Sequence, residues 1–218
     1  MQGQRTIVVV TSGADPGALD GLPADAQVVA ADGGVDAALA VGLEIAIAVG
    51  DFDSVTPAGL AEVEATGVDI RSHPAEKDAT DLELALDVAL ELGADRIVVA
   101  GGDAGRLDHL LAGLLVLCHE RYAGAEIDAR LGQALAHVVR SERVLTGEPG
   151  ELISLLPLHG PAAGVVTSGL AYPLRGETIE AGSSRGVSNV FEERVARIAI
   201  ARGVLVALRP GSLDKESA

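Results

Sequence analysis

The segment Gly50-Asp51-Phe52-Asp53-Ser54 sets two carboxylates either side of one apolar residue. In an extended or turning backbone, alternate side chains point the same way. Asp51 and Asp53 can then reach one hard cation, which takes oxygen ligands at ~2.0–2.1 Å if it is magnesium. Phe52 is expected to point the opposite way, into the core. A second acidic set follows in Glu76-Lys77-Asp78-Ala79-Thr80-Asp81, and further acids stand at Asp32, before Gly33-Gly34, and at Asp108. Each alone has a plainer reading: Asp81 as an acid in the first turn of a helix, Asp32 as part of a turn, Asp53 as an N-cap. Several acids facing one crevice are poorly explained as caps. Packed together without a cation, they would repel and raise one another's pKa.

Lys77 and Arg106 are the cations inside this set, and both suit phosphate. Gly101-Gly102-Asp103-Ala104-Gly105-Arg106 is a glycine-rich turn before a helix, where backbone N–H groups can meet phosphate oxygens. The chain has no G-x-x-x-x-G-K-[ST] and no G-x-G-x-x-G after its first apolar run, so neither a P-loop nor a dinucleotide fingerprint is present. The histidines lack metal-ligand spacing. His109, beside Asp108, is either a group that orients the site or a histidine on a helix face.

The elements that must hold these groups follow from apolar runs. Arg5–Thr11, Gln27–Ala31, Glu44–Val49, Val68–Ser72 and Arg96–Ala100 predict five strands, most of them stopping at Gly, Ser or Asp. Leu82, Leu86, Ala89 and Leu90 make one helical stripe, opened by a Thr80–Glu83 capping box. Leu107–Cys118 predicts a second, strongly apolar helix. This alternation implies an α/β fold: an N-terminal, mostly parallel sheet with helices on both faces. The acids then lie outside the carboxyl ends of the strands, where such sheets bind ligands. Past Gly132 the helical period gives way to short runs broken by Gly and Pro, which predict a smaller C-terminal all-β sandwich. The expected domains are 1–140 and 141–218.

Composition narrows the partners. A formal charge of −16 argues against nucleic acid and anionic lipid, and makes a bound divalent metal the natural bridge to a phosphate ligand. Cys118 is the single cysteine, which fits a reducing compartment. No leader pattern and no run long enough to span a bilayer is seen, so a cytoplasmic protein is expected. Aromatics are few, with two Tyr, two Phe and no Trp, so few rings are available to stack on a ligand.

Ala31-Asp32-Gly33-Gly34, GDFDS at 50–54, KDATDLE at 77–83, GGDAGRLDH at 101–109 and Ser188-Asn189-Val190-Phe191 occur in this order. Together they resemble the thiamine pyrophosphokinase family over nearly the whole chain. The resemblance implies a magnesium-dependent homodimer that transfers diphosphate from ATP to the hydroxyl of thiamine, giving thiamine diphosphate and AMP. It implies Asp51, Asp53 and Asp81 as metal ligands. Asp32, Gly33, Gly34, Lys77, Thr80 and Arg106 are expected at the ATP site, and Asp78, Asp81, Arg106 and Asp108 among the catalytic groups. The base is Asp78 or Asp81. Ser188, Asn189 and Phe191 are expected at the acceptor, in sites shared between two chains. Ala104 and Gly113 depart from the family pattern.

Three rivals share parts of this pattern. One is the same reaction on another alcohol, such as a hydroxymethylpterin. The second is a haloacid-dehalogenase-type phosphatase, because Asp51–Val55 resembles D-x-D-x-[TV]. The third is a nucleotide sensor without catalysis.

Overall fold

The computed structural model describes residues 4–101 and 106–211. The chain divides into two compact units, Met1–Val116 with Gly124–Gly132, and Leu117–Ala123 with Gln133–Ala218.

The first unit runs β1 (Thr6–Val10), α1 (Pro16–Leu19), β2 (Gln27–Ala31), α2 (Gly34–Ala40), β3 (Ile45–Gly50), α3 (Pro57–Thr66), β4 (Asp69–Ser72), α4 (Asp81–Glu91), β5 (Arg96–Gly101), α5 (Leu107–Leu117) and β6 (Glu126–Leu131). Its strands pair in the order β6-β5-β1-β2-β3-β4, all parallel. Successive residues of a strand face opposite sides. Val8, Val10, Val28, Ala30 and Val98 therefore pack with Ala18, Val35, Ala38 and Val63 from α1, α2 and α3. Their neighbours Ile7, Val9, Val29 and Ala31 are buried too, and α4 packs on β1, β2 and β3 through Ala85, Leu86, Val88 and Ala89. Thr80 caps α4, its hydroxyl accepting the Glu83 N–H at 3.2 Å.

The apolar runs do not predict β6. Glu126, Asp128 and Arg130 interrupt its hydrophobic pattern, and their charges are absorbed by pairing. Asp128, 7 % exposed, accepts from Arg96 at 2.7 Å, and Arg130 donates to the Ala18 carbonyl at 3.3 Å.

The second unit holds β7 (Ala134–Val139), β8 (Glu142–Thr146), β9 (Leu152–Pro157), β10 (Ala162–Ser168), β11 (Arg175–Ile179), β12 (Asn189–Val190), β13 (Val195–Ala199) and β14 (Leu205–Arg209). They form two antiparallel layers, β12-β9-β14-β7 and β11-β10-β13-β8. Leu145, Ile153, Leu155, Val165, Ile198 and Leu205 from the two layers share one core, which makes a sandwich. The division falls at Gly132 rather than at residue 140, because β7 is paired with β14 along Leu135–Val139. Among the described residues no helix is long and apolar enough to cross a membrane.

Candidate active site

The acids collect where the parallel strands end. Asp32 follows β2, its N–H donating to the Val49 carbonyl at 3.0 Å. Its φ of 46° turns the chain away from the strand, a conformation Asp tolerates better than most residues. Gly34 is required because nothing larger fits, and a side chain at Gly33 would have to displace the Ser12 hydroxyl. A Cβ on Gly34 would strike the Val10 carbonyl, and one on Gly33 would come within 2.7 Å of Ser12 Oγ. After β3, Phe52 also takes a positive φ, 60°. Asp51 and Asp53 thus converge through a turn, while Phe52 packs against the core as expected.

Asp32, Asp51 and Asp53 each bring a carboxylate oxygen within 4.8 Å of the others. Asp32 is buried, Asp51 half-buried and Asp53 exposed. The Ser54 N–H approaches Asp32 Oδ1 at 3.4 Å, and Ser54 Oγ donates to Asp53 Oδ1 at 2.9 Å.

Lys77 completes this end of the sheet. Its ammonium lies 3.0 Å from Asp51 Oδ2 and 2.9 Å from Asp81 Oδ1. The hydrogen bond from Lys77 holds the Asp51 carboxyl below the usual carboxylate range, against the opposing effect of burial. Burial works against the Lys77 charge, but Asp81 and Asp51 outweigh it and its pKa is raised. The 2.9 Å contact with Asp81 is an ion pair, and the Lys77 ammonium is the described partner of that buried Oδ1.

Other expected site residues fall differently. Asp78 is exposed beside Lys77, and Thr80 is the α4 cap. Arg106 and Asp108 are exposed and form a fork with each other, at 3.3 and 2.7 Å. Residues 102–105 of the glycine-rich turn lie outside the described residues.

Asp36, which the sequence does not mark, braces the loop after β3. Its carboxylate accepts the Thr56 N–H at 2.8 Å and the Thr56 hydroxyl at 2.6 Å. Thr56 in turn caps α3 through the Gly59 N–H at 3.1 Å. The loop from Asp51 to Thr56 is thereby tied to α2. Asp36→Ala is expected to lower stability by about 1–2 kcal/mol, read from urea unfolding. A change below a few tenths would refute the brace. The signal available in sequence is only an acid in the first turn of α2, which is common.

In the second unit, Tyr172, Leu174, Arg185, Val187, Ser188 and Asn189 line a cleft of ≈ 310 Å³. Ser188 has a φ of 59°, and its N–H is held by Ser154 Oγ at 3.1 Å. Strain of this kind gathers at ligand sites. Asn189 is buried and its amide is committed. It accepts the Tyr172 N–H at 3.0 Å, donates to the Tyr172 carbonyl at 2.8 Å and accepts the Val190 N–H at 2.8 Å. It positions Tyr172, whose side of the cleft is open: Tyr172 is 68 % exposed. Phe191, expected at the acceptor, is a core residue instead. It is 1 % exposed, with the Arg209 guanidinium 5.4 Å from its ring centroid. It directly follows β12, and its ring packs in the core shared by the two layers.

Residues 22–128 match the family description "Thiamin pyrophosphokinase, catalytic domain", and residues 137–205 match "Thiamin pyrophosphokinase, vitamin B1 binding domain". The thiamine pyrophosphokinase of Bacillus subtilis (strain 168) is 30% identical over 172 residues, covering 74% of this chain and 77% of that protein. The chain belongs to the thiamine pyrophosphokinase family. Crystal structures of family members agree in fold. The Bacillus subtilis enzyme superposes with a TM-score of 0.85 at 28% identity, over 96% of this chain and 100% of that one. The thiamin pyrophosphokinase of Geobacillus thermodenitrificans gives 0.81 at 28% identity, over 96% and 99%.

Within this thiamine pyrophosphokinase fold, the donor set at the strand ends fits a hard divalent cation. The converging donors of Asp32, Asp51 and Asp53 are all carboxylate oxygens, the type magnesium prefers, while Asp81 stands outside that trio, paired with Lys77.

Proposed function

We propose that this chain moves a diphosphate from ATP onto the hydroxyl of thiamine, giving thiamine diphosphate and AMP. The observation that carries this reading is the convergence of Asp32, Asp51 and Asp53 within 4.8 Å at the strand ends, in a chain of this family. The acceptor oxygen attacks the β-phosphorus in line, and the bond to the α,β-bridging oxygen breaks, releasing AMP. The hydroxyl proton passes to Asp78 or Asp81.

Asp51, Asp53 and Asp81, with Asp32 beside them, would hold magnesium. When bound, the ion supplies positive charge against the phosphate oxygens. Lys77 and Arg106 add positive charge of their own, and Asp108 orients Arg106 through their fork. Asp32, Gly33, Gly34 and Thr80 border the nucleotide. Catalysis is then positioning and electrostatics rather than covalent chemistry.

The acceptor ring lies on Tyr172, beside Ser188, with Asn189 fixing the tyrosine backbone. A homodimer completes the sites in this reading, the acceptor cleft of one chain facing the phosphate site of the other. Helix α5 supports pairing. Leu107, Leu111 and Leu115 recur every fourth residue, so they share one face, and they are 66, 54 and 45% exposed, an apolar stripe suited to burial against a second copy. A cytoplasmic setting agrees with Cys118, whose burial pushes the thiol up to about 12 despite the opposing charge of Arg140, leaving it unreactive.

AMP release from ATP and magnesium tests the proposal. Release is expected only when thiamine is added. Release with a hydroxymethylpterin but not thiamine would move the acceptor. Phosphate release from simple monoesters would favour the phosphatase, and nucleotide binding without turnover would favour the sensor.

A further inference from the structure

Lys77 occupies the place between Asp51 and Asp81 that a cation shared by these two carboxylates would take, at 3.0 and 2.9 Å. It is also chemically out of pattern for this chain. Of its sixteen Lys and Arg residues only Lys77 and Lys215 are lysines. The other described ion pairs use arginine, two of them as forks: Arg209 on Glu151 at 2.6 and 2.8 Å and Arg106 on Asp108 at 3.3 and 2.7 Å. A guanidinium fork locks a carboxylate in two places, whereas an ammonium is a point charge on a flexible stem. The one position where lysine is kept among the described residues is the one where two carboxylates must later face something else.

We infer that Lys77 is an exchangeable counter-ion: it neutralises Asp51 and Asp81 in the nucleotide-free enzyme and leaves them when the metal and nucleotide arrive. This rests on the reading of these acids as the metal site. The departing ammonium then has phosphate oxygens to meet, so one side chain serves both states. The buried Asp81 Oδ1, whose described partner is the Lys77 ammonium, is the oxygen that the exchange frees. The device keeps the like-charged acids stable when empty and makes metal uptake depend on nucleotide, because the lysine gains a new partner only then.

Manganese binding to the nucleotide-free full-length protein, followed by electron paramagnetic resonance, tests the exchange. Lys77→Met should bind Mn²⁺ about tenfold tighter than wild type, since a competing charge within contact distance is removed. Lys77→Arg should bind it more weakly, because the fork holds both acids. Arg71→Met, the same loss of charge on β4, should change affinity less than about twofold. No gain in Lys77→Met, or an equal gain in Arg71→Met, overturns the exchange. With two lysines in the chain, ¹⁵N-lysine spectra of the wild type give a second measurement that needs no variant to fold. The Lys77 ammonium signal should move on adding Mg²⁺ with a non-hydrolysable ATP analogue, and a stationary signal would also overturn the idea. Asp53→Asn separates the two levels. If wild type binds Mn²⁺ through Asp53 but Lys77→Met binds no tighter, the exchange alone fails. If neither binds Mn²⁺ even with the analogue, the metal reading fails and takes the exchange with it.

Discussion

Replacing Asp53 with asparagine should lower diphosphate transfer by about 10²–10³-fold, the scale seen when one preorganised charge-stabilising group is lost. The fold should be indifferent. Asp53 is exposed, and its described side-chain hydrogen bond comes from its neighbour Ser54, so the stability change should stay within about 0.5 kcal/mol. The two readouts are AMP release at saturating ATP and thermal unfolding by circular dichroism. A folded, inactive variant that no longer takes up Mn²⁺ is the expected result. Near-normal turnover would remove Asp53 from the metal set and leave Asp32, Asp51 and Asp81 as the remaining candidates.

The second large effect is recovery of activity from two weak parents. Asp53→Asn is impaired at the phosphate site. Tyr172→Ala, assayed at low thiamine, is impaired in the acceptor cleft. If sites are shared between chains, a mixed dimer joins the intact cleft of one parent to the intact acids of the other. At equal mixing half of the dimers are mixed, and each has one competent site of two, so about a quarter of wild-type activity should return. Unfolding the parents together and refolding them allows exchange, and a mixture of separately folded parents is the control. If no activity above the parental sum returns, each chain works alone. Tyr172 is preferred to Asn189 here because truncating the buried Asn189 amide would leave the Tyr172 N–H and carbonyl unpaired, at about 1–3 kcal/mol.

The two halves of the chain differ in how much their sequence reveals. β-branched runs at 6–10, 27–31, 45–50 and 96–101 are apolar on both faces, which only a covered parallel sheet explains, and all four form strands within a residue of the predicted bounds. The α4 start is equally legible, because a capping threonine acts locally. In contrast β6 is hidden by its charges, and β7, which precedes residue 140, groups with the second unit because it pairs with β14 across some 70 residues of sequence. Such long-range pairing leaves no local signal.

Within the site, residue types and spacing alone marked Asp51 and Asp53 as a pair, and Lys77 and Arg106 as the cations among acids. Covalent proximity and strand-end position suffice for that inference. Tertiary structure decided the rest. Asp32 joins Asp51 and Asp53 because β2 and β3 lie side by side in parallel register, a fact of sheet order. Asp36 became a brace because α2 lies against the loop before α3. Phe191 is drawn into the core while Tyr172 stays exposed at the cleft, because burial depends on which face of a layer meets the core. The sequence names the groups capable of the chemistry; which of them meet is set by strand order and facing, which no local pattern encodes.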